Sequence, residues 1–251
     1  MNSILYGFLL SSLAGLSTLL GSLVILFKIS KDKYNKFICF CLSFSLSIMI
    51  WISVFDLIPT YFLGSIIKKG LNKTILIIGS SFIFGFLTIS FIDKLFHYII
   101  KHNDLYKLGI LNIVVLILHN LPEGIATFIS SYNNFSLGIK FSIAIALHNI
   151  PEGIIISVPI YYSTGSKLRA FKATLLSGLS EPFGALLAFI IFRNHITPSL
   201  VNFILLLVAG LMITLSIQII LPKAIKYKEY KSLILGLIIG FLIVIFNLFL
   251  L

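Results

Sequence analysis

The sequence His-Asn-Leu-Pro-Glu-Gly at residues 119–124 recurs 29 residues later as His-Asn-Ile-Pro-Glu-Gly at residues 148–153. Both hexapeptides lie in the middle of strongly apolar runs, where a charged side chain costs about 2.5–3.5 kcal/mol on membrane-insertion scales. In each copy the His and the Glu are four residues apart, so both lie on one face of a helix. A nitrogen and an oxygen ligand on a shared face suit a divalent transition metal. The repeat therefore predicts a metal site inside a membrane.

The composition excludes a soluble protein. Of the 251 residues, 59% are hydrophobic and 11% are charged, whereas soluble domains carry roughly 25% charged residues. Eight apolar runs reach the length of about 20 residues that a membrane-spanning helix needs. We predict an all-α polytopic membrane protein in which residues 1–251 form a single transmembrane domain. The predicted helices are Leu5–Phe27, Phe37–Phe62, Thr74–Ile100, Leu108–Ile129, Phe135–Tyr161, Leu168–Phe192, Leu200–Leu221 and Ser232–Leu251.

The basic residues are distributed unevenly between the two sides of the membrane. If the N-terminus lies outside, the inner loops hold 14 of the 19 Lys and Arg residues and the outer loops hold five. The positive-inside rule then places both termini outside a cell membrane. The net charge of +11 is thus a topology signal, and we predict the lipid bilayer, and no nucleic acid, as the surroundings of the chain.

Half of the eight acidic residues lie within apolar runs, where no Lys or Arg is placed to pair with them. An unpaired buried carboxylate binds either a proton or a cation. With two His side chains at the same depth, the cation is favoured, and two divalent ions would offset up to four negative charges. The four acids are Asp56, Glu123, Glu152 and Glu181.

Three prolines lie beside these candidate ligands, namely Pro122, Pro151 and Pro182. Because proline has no N–H, each leaves one carbonyl of its helix without a donor. Irregular backbone at membrane depth is tolerated where it lines a site or cavity. The affected carbonyls are those of Leu118, Leu147 and Gly178.

A pattern of Met, Ile, Ser and Pro in the second run recurs 163 residues later in the seventh run. These two helices cross the membrane in opposite directions in the predicted topology. Weak similarity between oppositely oriented segments is typical of inverted-repeat transporters. The matched residues are Met49, Ile50, Ser53 and Pro59 in the second run and Met212, Ile213, Ser216 and Pro222 in the seventh.

The two His-Asn-x-Pro-Glu-Gly motifs, the Ser180-Glu181-Pro182 segment with Gly184, and the eight helices resemble the ZIP (Zrt-, Irt-like protein) metal transporters. The bacterial zinc-uptake branch is the nearest in pattern. The resemblance implies a bundle in which helices 1–3 and 6–8 are inverted repeats with helices 4 and 5 between them. It also implies a transporter, not an enzyme, that carries metal into the cytoplasm by alternating access.

The resemblance further implies a binuclear metal site bridged by Glu123 and Glu152. On helix 2, Ser53 would contact the first metal and Asp56 would lie at the entrance. The first metal would be bound by His119, Glu123, His148 and Glu152, and the second by Asn120, Glu123, Asn149, Glu152 and Glu181. On helix 7 the equivalent stretch, residues 216–219, reads Ser-Ile-Gln-Ile and lacks the acid that is often seen there.

A mixed nitrogen and oxygen site suits Zn²⁺, and also Fe²⁺, Mn²⁺ or Co²⁺, better than Ca²⁺ or Mg²⁺, which prefer all-oxygen shells. The metal is then a transported substrate, and we expect no resident cofactor. A homodimer is a candidate assembly that the sequence does not decide.

Two alternatives stay open at this point. An intramembrane metal-dependent hydrolase typically needs His-Glu-x-x-His, with the Glu adjacent to a ligand, whereas both copies here have His-x-x-x-Glu. A metal exporter of another fold is disfavoured only weakly, by the distribution of basic loops. Metal loading of vesicles would separate the three functions.

Overall fold

A computed structural model of the chain describes residues 2–27, 29–99, 104–133, 135–192 and 197–250. Within these ranges every regular element is a helix, and we number eight long helices α1 to α8. Lys28, Lys101 and Arg193, which contribute to the predicted topology, lie outside the described residues. The helices are α1 (Asn2–Ser22), α2 (Tyr34–Ile52, continued by Ser53–Leu57 and Ile58–Lys69), α3 (Leu71–Ile99), α4 (Asp104–Asn133), α5 (Phe135–Thr164), α6 (Lys167–Gly178, continued by Ser180–Leu187 and Ala188–Phe192), α7 (Pro198–Leu215, continued by Ser216–Ile220 and Leu221–Lys226) and α8 (Tyr230–Leu250).

The predicted all-α membrane fold is confirmed. Seven of the described helices are long and apolar enough to cross a membrane, and α8 contributes a shorter apolar stretch. Local sequence signals set several helix ends. Ser166 accepts a hydrogen bond from the Arg169 N–H at the start of α6, and Thr197 does the same for Leu200 N–H at the start of α7, as residues before a helix commonly do.

The eight helices form two groups of four. One group consists of α1, α4, α5 and α6, and in the other α2 packs against α8 and α3 against α7. Small residues allow the backbones within each group to touch. A Cβ on Gly15 of α1 would collide with the carbonyl of Gly178 on α6, and a Cβ on Gly85 of α3 would collide with that of Gly210 on α7.

The helices α2 and α7 share an unusual interruption. Each contains five π-helical residues, at Ser53–Leu57 in α2 and at Ser216–Ile220 in α7. Each π segment is followed closely by a proline, Pro59 or Pro222. Because proline cannot donate to the helical ladder, it favours such a local change of hydrogen-bond spacing. The interruption therefore falls at the same place in both copies of the sequence repeat.

The contacts between α2 and α7 are reciprocal. The Ser53 hydroxyl lies 3.6 Å from the sulfur of Met212, and the Ser216 hydroxyl lies 3.9 Å from the sulfur of Met49. The partners exchange when each number is shifted by 163, as a local two-fold axis between the helices requires. The inverted relation predicted for these two helices is therefore present in the fold.

The loops that hold most of the lysines meet at one end of the bundle, which we call the basic end. Here Lys107 of α4 lies 2.7 Å from Asp93 of α3, and Lys223 of α7 lies 2.9 Å from Asp104 of α4. Both ion pairs join α4 to a helix of the other four-helix group. At the opposite end, Gly70 adopts a φ of 77°, which lets the chain turn sharply from α2 into α3.

Candidate metal centre

The two hexapeptides bring their His and Glu side chains together between α4 and α5. His119 and Glu123 are 1% exposed, His148 is 7% exposed and Glu152 is fully buried. The Nε2 atom of His119 lies 3.0 Å from Oε1 of Glu152 and 3.2 Å from Oε1 of Glu123. The Nε2 atom of His148 lies 3.0 Å from the same Glu123 oxygen. One ligand atom each from His119, His148 and Glu152 fall within 4.8 Å of one another.

These polar atoms are poorly satisfied by one another. Neither His119 Nδ1 nor Glu123 Oε2 has a hydrogen-bond partner among the described residues. Leaving such a group unpaired in a protein interior costs about 1–3 kcal/mol. No described Lys or Arg forms an ion pair with either carboxylate. A divalent cation between the four side chains would supply the missing partner for both oxygen and nitrogen atoms.

A second set of polar side chains adjoins the first. Asn149 of α5 donates from Nδ2 to Glu181 Oε1 of α6 and to the carbonyl of Ala14 on α1, at 2.8 Å. In the amide orientation that satisfies its neighbours, Asn120 of α4 donates to Glu152 Oε2 at 3.1 Å. Glu181 is fully buried, and its Oε2 has no hydrogen-bond partner within the described ranges. All seven side chains predicted from the motifs therefore lie in one buried cluster, which we call the metal centre.

The glycine that ends each hexapeptide allows this close assembly. A Cβ on Gly124 would collide with the Glu181 carbonyl, and a Cβ on Gly153 would collide with the Thr18 carbonyl. Glycine at these places lets α4 approach α6, and lets α5 approach α1, at backbone distance. Both helices continue without a break through Pro122 and Pro151.

The family model described as ZIP zinc transporter matches residues 103–248, which is more than half of the chain. The chain belongs to the ZIP family. Full-length relatives agree with this assignment. A Clostridium perfringens protein named zinc transporter ZupT is 37% identical over 100% of this chain and 97% of its own length. Proteins of the same name from Oceanobacillus iheyensis and Streptococcus mutans are 39% and 38% identical, covering 100% and 97% of this chain and 100% and 96% of their own lengths.

Membership in the ZIP family confirms the resemblance that the two hexapeptides indicated. The chain is accordingly a multi-pass membrane protein of a transporter family, and it is not an enzyme. The hydrolase alternative is thereby excluded.

Two of the residues predicted for the ZIP site form no described hydrogen bond or ion pair with the metal centre. Ser53 is buried, and its hydroxyl donates to the Met49 carbonyl of its own helix at 2.8 Å. Asp56 is exposed and accepts a hydrogen bond from Thr60 at 3.5 Å. Asp56 is near enough to His148 and Glu123 for their charges to interact. A role for Ser53 as ligand or for Asp56 at the entrance stays a prediction.

Sequence reasoning missed one buried polar residue of the same helix. Asn112 of α4 is fully buried and donates from Nδ2 to the carbonyl of Ile155 on α5 at 2.7 Å. A signal was present, because Pro159 follows Ile155 by four residues and cannot donate to that carbonyl. The bond from Asn149 to Ala14 had no such signal, since nothing in the sequence of α1 marks that carbonyl.

Proposed function

We propose that this ZIP family member carries Zn²⁺ into the cytoplasm by alternating access, with Fe²⁺, Mn²⁺ and Co²⁺ as further substrates. The observation that carries the proposal is the buried cluster of two imidazoles and three carboxylates that no described Lys or Arg neutralises. The names of the full-length relatives support zinc as the main substrate. Imidazole together with carboxylate suits these metals better than Ca²⁺ or Mg²⁺.

The proposed site holds two metal ions bridged by Glu123 and Glu152. Three ionised carboxylates leave the centre with a charge of −3, which one divalent ion changes to −1 and two change to +1. Either occupied state is much closer to neutrality than the empty one, which favours metal binding in an apolar interior. The first ion is bound by His119, Glu123, His148 and Glu152, and the second by Asn120, Glu123, Asn149, Glu152 and Glu181.

The division of the bundle supports alternating access. All seven proposed ligands lie on α4, α5 and α6, which with α1 form one tightly packed group. The second group contains the reciprocal α2 and α7 pair. Movement of the first group relative to the second would open the centre to each side of the membrane in turn, as inverted-repeat transporters do.

The proposed orientation places both termini outside and the basic end in the cytoplasm. It follows from the lysine-rich loops. The homodimer stays a prediction, and the mass of the detergent-solubilised protein measured by light scattering tests it.

Zinc uptake into proteoliposomes that contain a trapped zinc-sensitive dye tests the function. We expect Glu123→Ala and Glu152→Ala each to abolish uptake, because each removes a carboxylate shared by both metals. Asp32→Asn, which neutralises an exposed acid between α1 and α2, is the matched control and should leave uptake unchanged. Normal uptake by either Ala variant would refute the bridged site, and absence of zinc uptake by the unmodified chain would refute the proposed function.

A further inference from the structure

Asn112 lies on the same face of α4 as the metal centre. It precedes His119 by seven residues and Glu123 by eleven, which are spacings that return to one side of a helix. Seven residues correspond to about 10 Å along the helix axis, measured from His119 toward the basic end. Of the buried side chains that the structure describes on α4 before His119, Asn112 alone is polar.

One half of the Asn112 amide has a clear structural role. Its Nδ2 donates to the Ile155 carbonyl at 2.7 Å and thereby replaces the N–H that Pro159 lacks. The amide is planar, so fixing Nδ2 against α5 also fixes the direction of Oδ1 on its other branch. Capping the carbonyl therefore explains the nitrogen of this side chain but not its oxygen.

The other half of the amide is unsatisfied. Oδ1 has no hydrogen-bond partner among the described residues, although the side chain is fully buried. A buried amide oxygen without a partner is unfavourable, and such exceptions in a native interior call for an explanation. Amide oxygens are ordinary ligands for divalent cations and for the waters that such cations carry.

A cavity of about 340 Å³ lies beyond Asn112 at the basic end, and its lining includes Leu108 and Leu111 of α4 together with polar residues of α3 and α7. Leu108 is one helical turn from Asn112, so along the axis of α4 Asn112 lies between His119 and the residues that line this cavity. The cavity lies at the boundary between the two four-helix groups, because α4 belongs to one and α3 and α7 belong to the other. The polar residues of α3 and α7 that line it are Asp93, His97, Gln218, Lys223 and Lys226.

We propose that Asn112 Oδ1 is a relay ligand that binds Zn²⁺ in transit between the metal centre and the basic-end cavity. This inference rests on the proposed zinc transport. A neutral amide suits the role, because an intermediate site on a transport path must bind the ion weakly enough to release it. The buried side chains of α4 before His119 are otherwise apolar, so an ion leaving the centre along this helix meets no other buried polar side chain on it.

The test separates the proposed role of Asn112 Oδ1 as a ligand from the role of Asn112 Nδ2 as donor to the Ile155 carbonyl. Pro159→Ala returns an N–H to α5, so Ile155 no longer needs Asn112, and this variant is the reference. In that background we compare Asn112→Leu, which removes the oxygen at similar volume, with Asn112→Asp, which keeps an oxygen. The measurements are the initial rate of zinc uptake into proteoliposomes and the zinc bound per chain at equilibrium.

We expect Asn112→Leu to bind as much zinc as the reference but to take it up at least tenfold more slowly. Asn112→Asp should keep at least half of the reference rate. Uptake by Asn112→Leu at the reference rate would overturn the relay, and so would equal loss in the Leu and Asp variants. If Asn112→Leu fails to fold, Asn112→Val is measured in its place with the same expectations.

Failure of the relay is distinguishable from failure of the transport function. An unmodified chain that takes up no zinc refutes the function itself, whatever Asn112 does. If Pro159→Ala alone stops uptake, the comparison moves to Asn112→Leu and Asn112→Asp in the unmodified chain. Both variants then lack the Nδ2 donor to the Ile155 carbonyl and differ in whether they keep a side-chain oxygen. Faster zinc uptake by the Asp variant than by the Leu variant supports the relay, and equal uptake rates overturn it.

Discussion

Replacing Glu181 by Gln isolates one charge of the metal centre. Glu181 is fully buried, and its described contact within the centre is the hydrogen bond that Oε1 accepts from Asn149. Gln has the same length and keeps an oxygen for that bond. The substitution therefore removes the negative charge and leaves the packing and the local hydrogen bond in place.

The charge count gives the expected size of the effect. With two divalent ions bound, the centre carries +1 in the unmodified chain and +2 in Glu181→Gln. One additional uncompensated charge at membrane depth costs about 2.5–3.5 kcal/mol. This cost corresponds to a dissociation constant that is roughly 70- to 400-fold larger, and therefore to weaker binding. In the proposed two-ion site the weakening should fall on the second ion, because the substitution leaves the two His side chains and the two bridging carboxylates proposed for the first ion unchanged.

The assay is the amount of zinc bound per chain, determined by elemental analysis after dialysis against a series of buffered free-zinc concentrations. We expect two binding steps for the unmodified chain and for the control Asp32→Asn. Glu181→Gln should keep the tighter step and lose the weaker one at concentrations that fill both sites in the control. Two steps at unchanged concentrations would refute the charge argument, and equal weakening of both steps would refute the division of ligands between the ions.

Three further predictions follow from the fold and the donor set. Gly124→Ala places a Cβ against the Glu181 carbonyl, and such overpacking costs about 1–3 kcal/mol. We therefore expect a lower melting temperature together with loss of the second zinc. An unchanged melting temperature would contradict this contact. Co²⁺ and Fe²⁺ should compete with radioactive zinc for uptake, whereas the same concentration of Mg²⁺ or Ca²⁺ should not; competition by Mg²⁺ equal to that by Co²⁺ would contradict a site that contains imidazole. A reporter enzyme that is active only outside the cytoplasm should be active when it is fused after the last residue, and an inactive fusion would overturn the predicted topology.

Much of the metal centre could be predicted because its information is local. The spacing of His119 and Glu123 places them on one face through helix geometry alone, and the same holds for His148 and Glu152. The number of helices follows in the same way, because a bilayer requires about 20 apolar residues for each crossing. The proximity of the two hexapeptides follows from the short connection between α4 and α5.

The rest depends on which helix packs against which, and this is a long-range property. The contact of Asn149 with the Ala14 carbonyl requires α1 to lie against α5, a choice that is made by small residues spread over several helices. The cap that Asn112 provides for Ile155 requires a particular register between α4 and α5. Ala14 and Asn112 lie outside both hexapeptides, so the motifs do not mark either of them as a partner of the site.

The reciprocal α2 and α7 pair has a consequence for direction. A two-fold axis in the membrane plane that relates α2 to α7 gives this pair the same backbone structure toward both aqueous phases. The backbone of the pair alone would therefore let ions enter equally fast from either side. The side chains remove this equivalence. Asp56 is exposed, and its counterpart 163 residues later is the uncharged Ile219, so the repeat does not reproduce this carboxylate. If Asp56 lies at the entrance, as predicted, it attracts cations to that face, and ions are then captured from dilute solution at different rates on the two faces, although net flux still follows the gradient.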